Sequence, residues 1–261
     1  MGNTACPKVS CVIIYTKDEQ IKECEKWIDA QEYDGEIEKI ILDNKGNKGY
    51  NSAASALNDG AAKSTGEILF FMHQDVYLWD KNAIKTCVLF LLSQKENTII
   101  GAAGIIKKDC KTHYDMWQGK DKKRYELPLN GKIEEAITVD ECFFAMKKSV
   151  WEDLGFDEIT FNDWHFYGAD ICYHNFLSGG ENYVLPLEIC HESIGAMNSV
   201  GFKTGLKKFV IKYKGKIKKI QTTCVRINCT EFSCAYFLCK FSIKTFIKNI
   251  LRKIGLYSDK V

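Results

Sequence analysis

The stretch GEILFFMHQDVYLWD, Gly66 to Asp80, decides how this chain folds. Its apolar run, Ile68 to Met72, stops at His73-Gln74-Asp75 and resumes with Val76, Tyr77 and Leu78. A short apolar run bounded by a glycine and a polar triplet reads as a buried strand. A carboxylate at the end of such a strand is costly unless a partner or water meets it. Asp75 is therefore the first candidate for a binding residue.

Upstream the same pattern occurs twice. KVSCVIIYT (8–16) is a β-branched run. KDEQIKECEKWIDAQEYDG (17–35) follows with Ile21, Cys24, Trp27 and Ile28 at helical spacing and Gly35 as a terminator. EIEKIILDN (36–44) is a second strand, ending in Asp43-Asn44. KGNKGYNSAASALNDGAAKSTG (45–66) then supplies glycines for a tight loop and a helix of small residues that can lie close against a sheet. Alternating strands and helices predict a layered α/β domain. The polar groups fall at the carboxyl ends of the strands, the edge where open α/β sheets bind ligands.

Downstream, DKNAIKTCVLFLLSQKEN (80–97) predicts an amphipathic helix and TIIGAAG (98–104) a strand. Residues 107–132 are polar and aperiodic, with Tyr114, Trp117 and Tyr125 among lysines, and read either as a mobile lid near the site or as disorder. ITVDECFFAMKKSVWEDLG (137–155) predicts a strand containing Asp140 and Glu141, then a short helix. Asp170 and His174 lie four apart on a predicted helix and share a face. YVLPLEICH (183–191) is a strand ending in His191.

The 261 residues suffice for one large domain, or a domain with an appendage. Hydrophobic content of 46% and only three prolines predict a compact globular protein. No uncharged apolar run reaches the roughly 18 residues of a membrane span. The first residues carry no basic leader or cleavage pattern, so a cytoplasmic rather than secreted protein is expected. The 12 cysteines are scattered, and Cys224, Cys229, Cys234 and Cys239 repeat every five residues. That step turns about 140° round a helix, so the thiols do not converge, and zinc sites use tighter pairs. They read as reduced thiols filling a core.

A net charge of +2 hides a division: residues 1–202 carry 21 Lys and Arg against 32 Asp and Glu, and residues 203–261 carry 15 against 2. An acidic body, 1–205, and a basic helical extension, 206–261, are expected to have different surroundings. KFSIKTFIKNILRKIG (240–255) sets Lys240, Lys244, Lys248 and Arg252 along one side of a helix. Ile243, Phe246, Ile247, Ile250, Leu251 and Ile254 cover the other side. Such a helix suits an anionic membrane surface or the acidic body itself. Its interleaved apolar residues make nucleic acid an unexpected partner.

The segments VSCVIIYT, LDNKGNKGYNSAASALNDGAAKSTGEILFFMHQDV, VDECFFAMKKSVWEDLGFDE, HFYGADICYHNFLSGG and VLPLEICHESIG span residues 9–195 in order. Together they resemble family 2 glycosyltransferases of the GT-A fold, most closely the bacterial glycosyltransferase-like group with His-Gln-Asp in place of Asp-x-Asp. The resemblance implies a mixed central sheet flanked by helices, the nucleotide-diphospho-sugar transferase fold, here with a basic helical C-terminal extension. It implies inverting transfer of a sugar from a nucleotide-sugar, a UDP-sugar, to a glycan or lipid-linked acceptor in surface polysaccharide synthesis. The enzyme would be cytoplasmic or peripheral on the inner face of the membrane.

By the same resemblance, Tyr15, Thr16 and Asp43 surround the base and ribose, with Asn51 and His73 as further nucleotide contacts. Asp43 also suits a turn or a helix cap. Asp75 matches a ligand of a divalent cation, Mg²⁺ or Mn²⁺, hard ions that favour carboxylate and phosphate oxygens. His191 matches a histidine near the same ion or the phosphates. His73 stands where an aspartate is common and could instead reach ribose or phosphate. Asp170 matches the catalytic base, although a first-turn carboxylate also suits a helix dipole. Asp140, Trp164 and His165 fall to the sugar or acceptor, with Trp164 either a platform for a sugar ring or rim packing. Two rival readings stand beside this one. One is a non-catalytic nucleotide-sugar-binding scaffold. The other is a metal hydrolase built on His165, Asp170, His174 and His191, for which no HExxH pattern is present.

Overall fold

A computed structural model describes residues 6–119, 127–193 and 199–253. The chain opens with the expected alternation of β1 (Val9–Tyr15), α1 (Asp18–Asp29), β2 (Ile37–Asp43), α2 (Ala53–Lys63) and β3 (Ile68–His73). β2 and β3 flank β1 in parallel, with Asp43 beside Tyr15 and His73 beside Ile14. One edge of the sheet thus receives all three polar strand ends. α2 buries Ala53, Ala54, Ala56, Gly60 and Ala61. A Cβ at Gly60 would overlap Val12 Cγ1, so glycine permits this close approach of helix to sheet.

Next come β4 (Val76–Tyr77), α3 (Ala83–Ser93), β5 (Thr98–Gly101), β6 (Ala103–Ile106), β7 (Thr112–Tyr114) and β8 (Trp117–Gln118). They are followed by β9 (Glu134–Val139), β10 (Phe143–Lys147), α4 (Lys148–Leu154), α5 (Tyr167–Leu177), β11 (Glu181–Val184) and β12 (Cys190–His191). Nine strands form one mixed sheet in the order β2-β1-β3-β10-β5-β11-β9-β6-β7. Val9, Cys11, Ile13 and Phe70 face α1 and α3, whereas Val12, Leu69 and Phe71 face α2, α4 and α5. Burial on both faces explains why β1 and β3 read as continuous apolar runs.

Several expected elements are divided. TIIGAAG becomes β5 and β6, which pair with different neighbours across a break at Ala102. Asp140 and Glu141 lie between β9 and β10 rather than in a strand, where Asp140 Oδ1 accepts the Cys142 N–H in a turn. YVLPLEICH splits into β11 and β12, since Pro186 cannot donate to a ladder. The described parts of 107–132 are not structureless: they supply β7 to the large sheet and β8 to a small sheet ordered β4-β12-β8. Tyr125 lies outside the described residues. α1 stops at Asp29, ahead of Gly35, and the Gln31 amide beyond it bonds the carbonyls of Trp27, Leu78 and Asp80.

The basic C-terminal part is built into the body. α6 (Val200–Tyr213), β13 (Lys219–Gln221), β14 (Arg226–Asn228) and α7 (Glu231–Lys253) follow β12, so the expected boundary after residue 205 falls inside a helix. Leu206, Phe209, Val210, Tyr213, Ile220, Val225, Cys229, Cys234 and Leu238 share a buried cluster with Phe161, Phe166 and Tyr173. All 12 cysteines are free thiols and eight are buried as expected of core residues, whereas Cys6, Cys110, Cys224 and Cys239 are exposed. Among the described residues, no helix is long and apolar enough to cross a membrane.

Candidate active site

The polar triplet after β3 lies where the large sheet meets the small one. β12 pairs with β4 in register, placing His191 opposite Val76, and the Glu192 N–H donates to the Asp75 carbonyl. One ligand atom each from His73, Asp75 and His191 lies within 4.8 Å of the others. His191 Nε2 is 3.6 Å from Asp75 Oδ1, and Asp75 Oδ2 accepts the Ser193 N–H at 3.0 Å. His73 Nε2 is 3.1 Å from the Tyr167 hydroxyl. Burial and the neighbouring His191 push the His73 imidazole down to about 4, leaving it neutral at physiological pH. Two imidazole rings and a carboxylate fit a divalent cation. His73, expected at the ribose or phosphate, thus sits with Asp75 and His191.

Gln74, between these residues, is a contact that sequence reasoning passed over as merely neutral. Its Oε1 accepts the backbone N–H groups of Thr16 and Lys17 at 2.8 and 2.9 Å, and its Nε2 donates to Thr16 Oγ1. It ties the loop after β1 to the end of β3. At the adjoining strand ends the Tyr15 hydroxyl donates to Asp43 Oδ2 at 2.9 Å. Asp43 Oδ1 accepts the Lys45 N–H, the main cause that holds this carboxyl below its ordinary value. The first joins neighbouring strand ends and the second is a turn contact; Oδ2 also meets Lys45 Nζ at 3.4 Å, and Oδ1 keeps a further lone pair for a ligand. Asn51 is exposed in the loop before α2 and lines neither cleft described below.

Two clefts meet at His73, Glu141 and Trp164. The smaller, about 280 Å³, runs past Thr16, Lys17, Asp75 and Ser193. The larger, about 810 Å³, is lined by Asp140, His165 and His191, by Lys111 and Tyr114 of the β7 region, and by Thr222, Thr223 and Arg226 of the β13–β14 hairpin. Trp164, His165 and Asp140 all line the larger cleft. Burial keeps His165 below its ordinary value, and its Nε2 lies 2.9 Å from Ser199 Oγ.

Two adjacent carboxyls in this site are driven apart. Burial alone would raise Asp140, but the Thr223 hydroxyl, the His191 charge and the Cys142 N–H outweigh it and hold the group below its ordinary value. Glu141 is recessed between the cleft walls. Burial and the Asp140 charge raise it to about 8, although its Oε1 accepts the Gly168 N–H at the start of α5. At neutral pH, Asp140 is a proton acceptor and Glu141 a donor.

Asp170, the base that the resemblance points to, lines neither cleft. It is 2% exposed. Lys212 Nζ lies 2.7 Å from its Oδ1, and the Tyr213 hydroxyl donates to the same oxygen at 2.7 Å. Asp157 also pairs with Lys212, at 2.8 Å. His174, one turn along α5, is exposed. The hydrolase grouping is therefore not assembled: Asp170 faces α6 and His174 faces solvent. Thr223 and Arg226 could not be found from the sequence, because a hairpin without a glycine turn gives no local signal and its neighbour Asp140 is 83 residues away.

Residues 11–198 match the family described as glycosyltransferase like family. No curated protein matches the chain. Solved structures with the same fold include GalNAc-T7 with UDP, GalNAc and Mn²⁺, at 13% identity and a TM-score of 0.55, covering 77% of this chain and 48% of that one. Mannosyltransferase PcManGT from Pyrobaculum calidifontis, with GDP-Man and Mn²⁺, is 14% identical with a TM-score of 0.54, over 79% of this chain and 62% of its own. S. aureus TarS in complex with UDP-GlcNAc is 13% identical with a TM-score of 0.58, over 80% and 68%. The chain thus spans about half the length of the first and under two thirds of the second.

Proposed function

The chain belongs to the glycosyltransferase-like family, and from that premise we propose that it moves a sugar, with inversion, from a UDP-sugar to a hydroxyl of a glycan or lipid-linked acceptor. The observation that carries this reading is the His73, Asp75 and His191 group at the junction of the two clefts. The similar structures hold UDP, GDP-Man or UDP-GlcNAc, and two hold Mn²⁺.

His73, Asp75 and His191 would hold a divalent cation, which offsets the charge that builds on a departing nucleotide diphosphate. The remaining work falls to the chain. Tyr15, Thr16 and Asp43 receive the base and ribose, with Asp43 accepting a uracil N–H, and Gln74 fixes their loop. Trp164 supports the sugar between the clefts. Glu141, protonated at neutral pH, donates a hydrogen bond to a sugar hydroxyl. Asp140, rather than Asp170, takes the acceptor's proton as its oxygen attacks the anomeric carbon. Asp140 earns this role by facing the cleft, while Asp170 is enclosed.

The acceptor side belongs at a membrane. On α7 the exposed Phe232, Tyr236, Ile243 and Ile247 form one stripe, flanked by exposed Lys240 and Lys244. A basic amphipathic helix of this kind binds anionic headgroups. The side chains of Phe246, Lys248, Ile250, Leu251 and Arg252, and all of Ile254, lie outside the described residues. Membrane docking fits a lipid-linked acceptor and a role in surface polysaccharide synthesis.

The test is a donor panel of UDP-glucose, UDP-galactose, UDP-GlcNAc and GDP-mannose with Mn²⁺ or Mg²⁺, scored by calorimetry and by nucleotide released with and without octyl glycosides. Cation-dependent binding and release of UDP are expected. Binding without transfer or hydrolysis would replace the enzyme reading with a nucleotide-sugar-binding scaffold.

A further inference from the structure

We infer that Thr223 is a positioning residue for Asp140, and that the β13–β14 hairpin carrying it completes the acceptor side of the larger cleft. The inference rests on the reading of Asp140 as the proton acceptor. The hairpin lies beyond the residues shared with the family, 11–198, so this part of the site is supplied by the chain's own C-terminal extension.

The Thr223 hydroxyl donates to Asp140 Oδ2 at 2.5 Å, and the Cys142 N–H reaches Oδ1 at 3.1 Å. Donors on both oxygens, with the Cys142 thiol as a third partner, fix the plane of the carboxylate and leave one of its four lone-pair sites for an incoming hydroxyl. A proton acceptor must be held within a few tenths of an ångström of its productive position to act.

The hairpin has the rigidity to deliver that hydroxyl. Thr222 Oγ1 accepts the N–H groups of Cys224 and Val225 at 3.2 and 2.9 Å, closing the turn that presents Thr223. Thr138 Oγ1 donates to the Gln221 carbonyl at 2.8 Å. The Tyr173 hydroxyl accepts the Gln221 N–H and donates to the Lys219 carbonyl. Ile220 and Val225 are at most 1% exposed in the third core cluster. Attachments to β9, α5 and the core hold the turn that presents the Thr223 side chain to Asp140. Arg226 extends the same wall and donates to Thr112 Oγ1 of β7 at 2.6 Å, linking the two sides of the cleft.

The experiment compares Thr223→Val, Thr223→Ser, Asp140→Asn and the double variant Asp140→Asn/Thr223→Val, using the UDP-sugar with the highest turnover in the donor panel. Valine keeps the shape and removes the donor. Expected for Thr223→Val are a fall in kcat of roughly 10- to 100-fold, the scale for loss of a supporting contact, an unchanged donor Kd, and an unchanged melting temperature. Serine should restore the rate, and Thr223→Val should add nothing in the Asp140→Asn background. Wild-type turnover of Thr223→Val beside a disabled Asp140→Asn overturns the inference alone. Loss of turnover that follows a fall in melting temperature, without rescue by serine, also overturns it, because the contact would then be structural. Wild-type turnover of Asp140→Asn removes the base assignment and the inference with it.

Discussion

Lys212 Nζ lies 2.7 Å from Asp170 Oδ1, joining α6 to α5 behind the clefts. The pair explains why the most conspicuous aspartate of α5 is a fastening point for the basic segment. Burial raises the Asp170 carboxyl, and Lys212 and then Tyr213 pull it partly back. Lys212→Met leaves that buried acid without its cation and is expected to cost about 3 kcal/mol, read from urea unfolding.

Asp170→Asn and Asp140→Asn separate the two candidates for the base. Asp170→Asn is expected to lower the melting temperature while transfer per folded molecule stays within about threefold of wild type. Asp140→Asn should keep its fold and donor affinity but lose roughly 10²- to 10⁴-fold in transfer. Initial rates on folded, quantified protein decide the matter, and the reverse pattern would return the role to Asp170.

Asp75→Ala is expected to abolish cation-dependent donor binding. Its sequence neighbour Gln74 is neutral, and Asp140, the carboxylate that also acts on His73 and His191, is already held by Thr223 and Cys142. Calorimetric titration of UDP-sugar with and without Mn²⁺ checks this. Unchanged affinity and unchanged cation dependence would place the ion elsewhere.

Glu141 sets a stability trend with pH. Its folded value is raised to about 8, above the ordinary value of 4.5, so the folded state holds a proton that the unfolded chain has released. Stability from this group is complete below the unfolded value and is lost as pH rises from about 4.5 to about 8. Glu141→Gln cannot titrate, so its urea midpoint should fall less than that of wild type between pH 5 and 8. Parallel curves would remove the raised value.

Truncation distinguishes the structural from the peripheral part of the basic segment. A chain ending at residue 205 loses Leu206, Phe209, Val210, Tyr213, Ile220 and Val225 from the third core cluster. Each buried side chain is worth about 1.5–3 kcal/mol against a total of about 5–15, so this chain should not fold. A chain ending at residue 240 keeps Leu238 and should fold, yet lose sedimentation with anionic vesicles, since it lacks Lys244, Ile243 and Ile247. Each basic residue near such a surface contributes about 1 kcal/mol and is screened by salt. Vesicle binding that survives the shorter truncation, or that full-length protein fails to show at low salt, would end the membrane reading.

The sequence determined the elements and the sheet edge that gathers the polar strand ends. β1 and β3 are legible because both faces are buried, which leaves unbroken apolar runs. Tyr15, Asp43 and His73 are legible because a polar residue after such a run is expensive without a purpose. His191 and Asp75 could each be singled out for the same reason. Their meeting could not, because it depends on β12 pairing with β4 across 115 residues. The tertiary structure alone decided the fates of the carboxylates. Asp170, Asp140 and Glu141 are chemically alike in a string of letters. Lys212 closes over the first, Thr223 orients the second, and burial beside Asp140 keeps the third protonated. These neighbours come from helices and turns distant in the chain, and long-range packing leaves no periodicity in the sequence from which to read it.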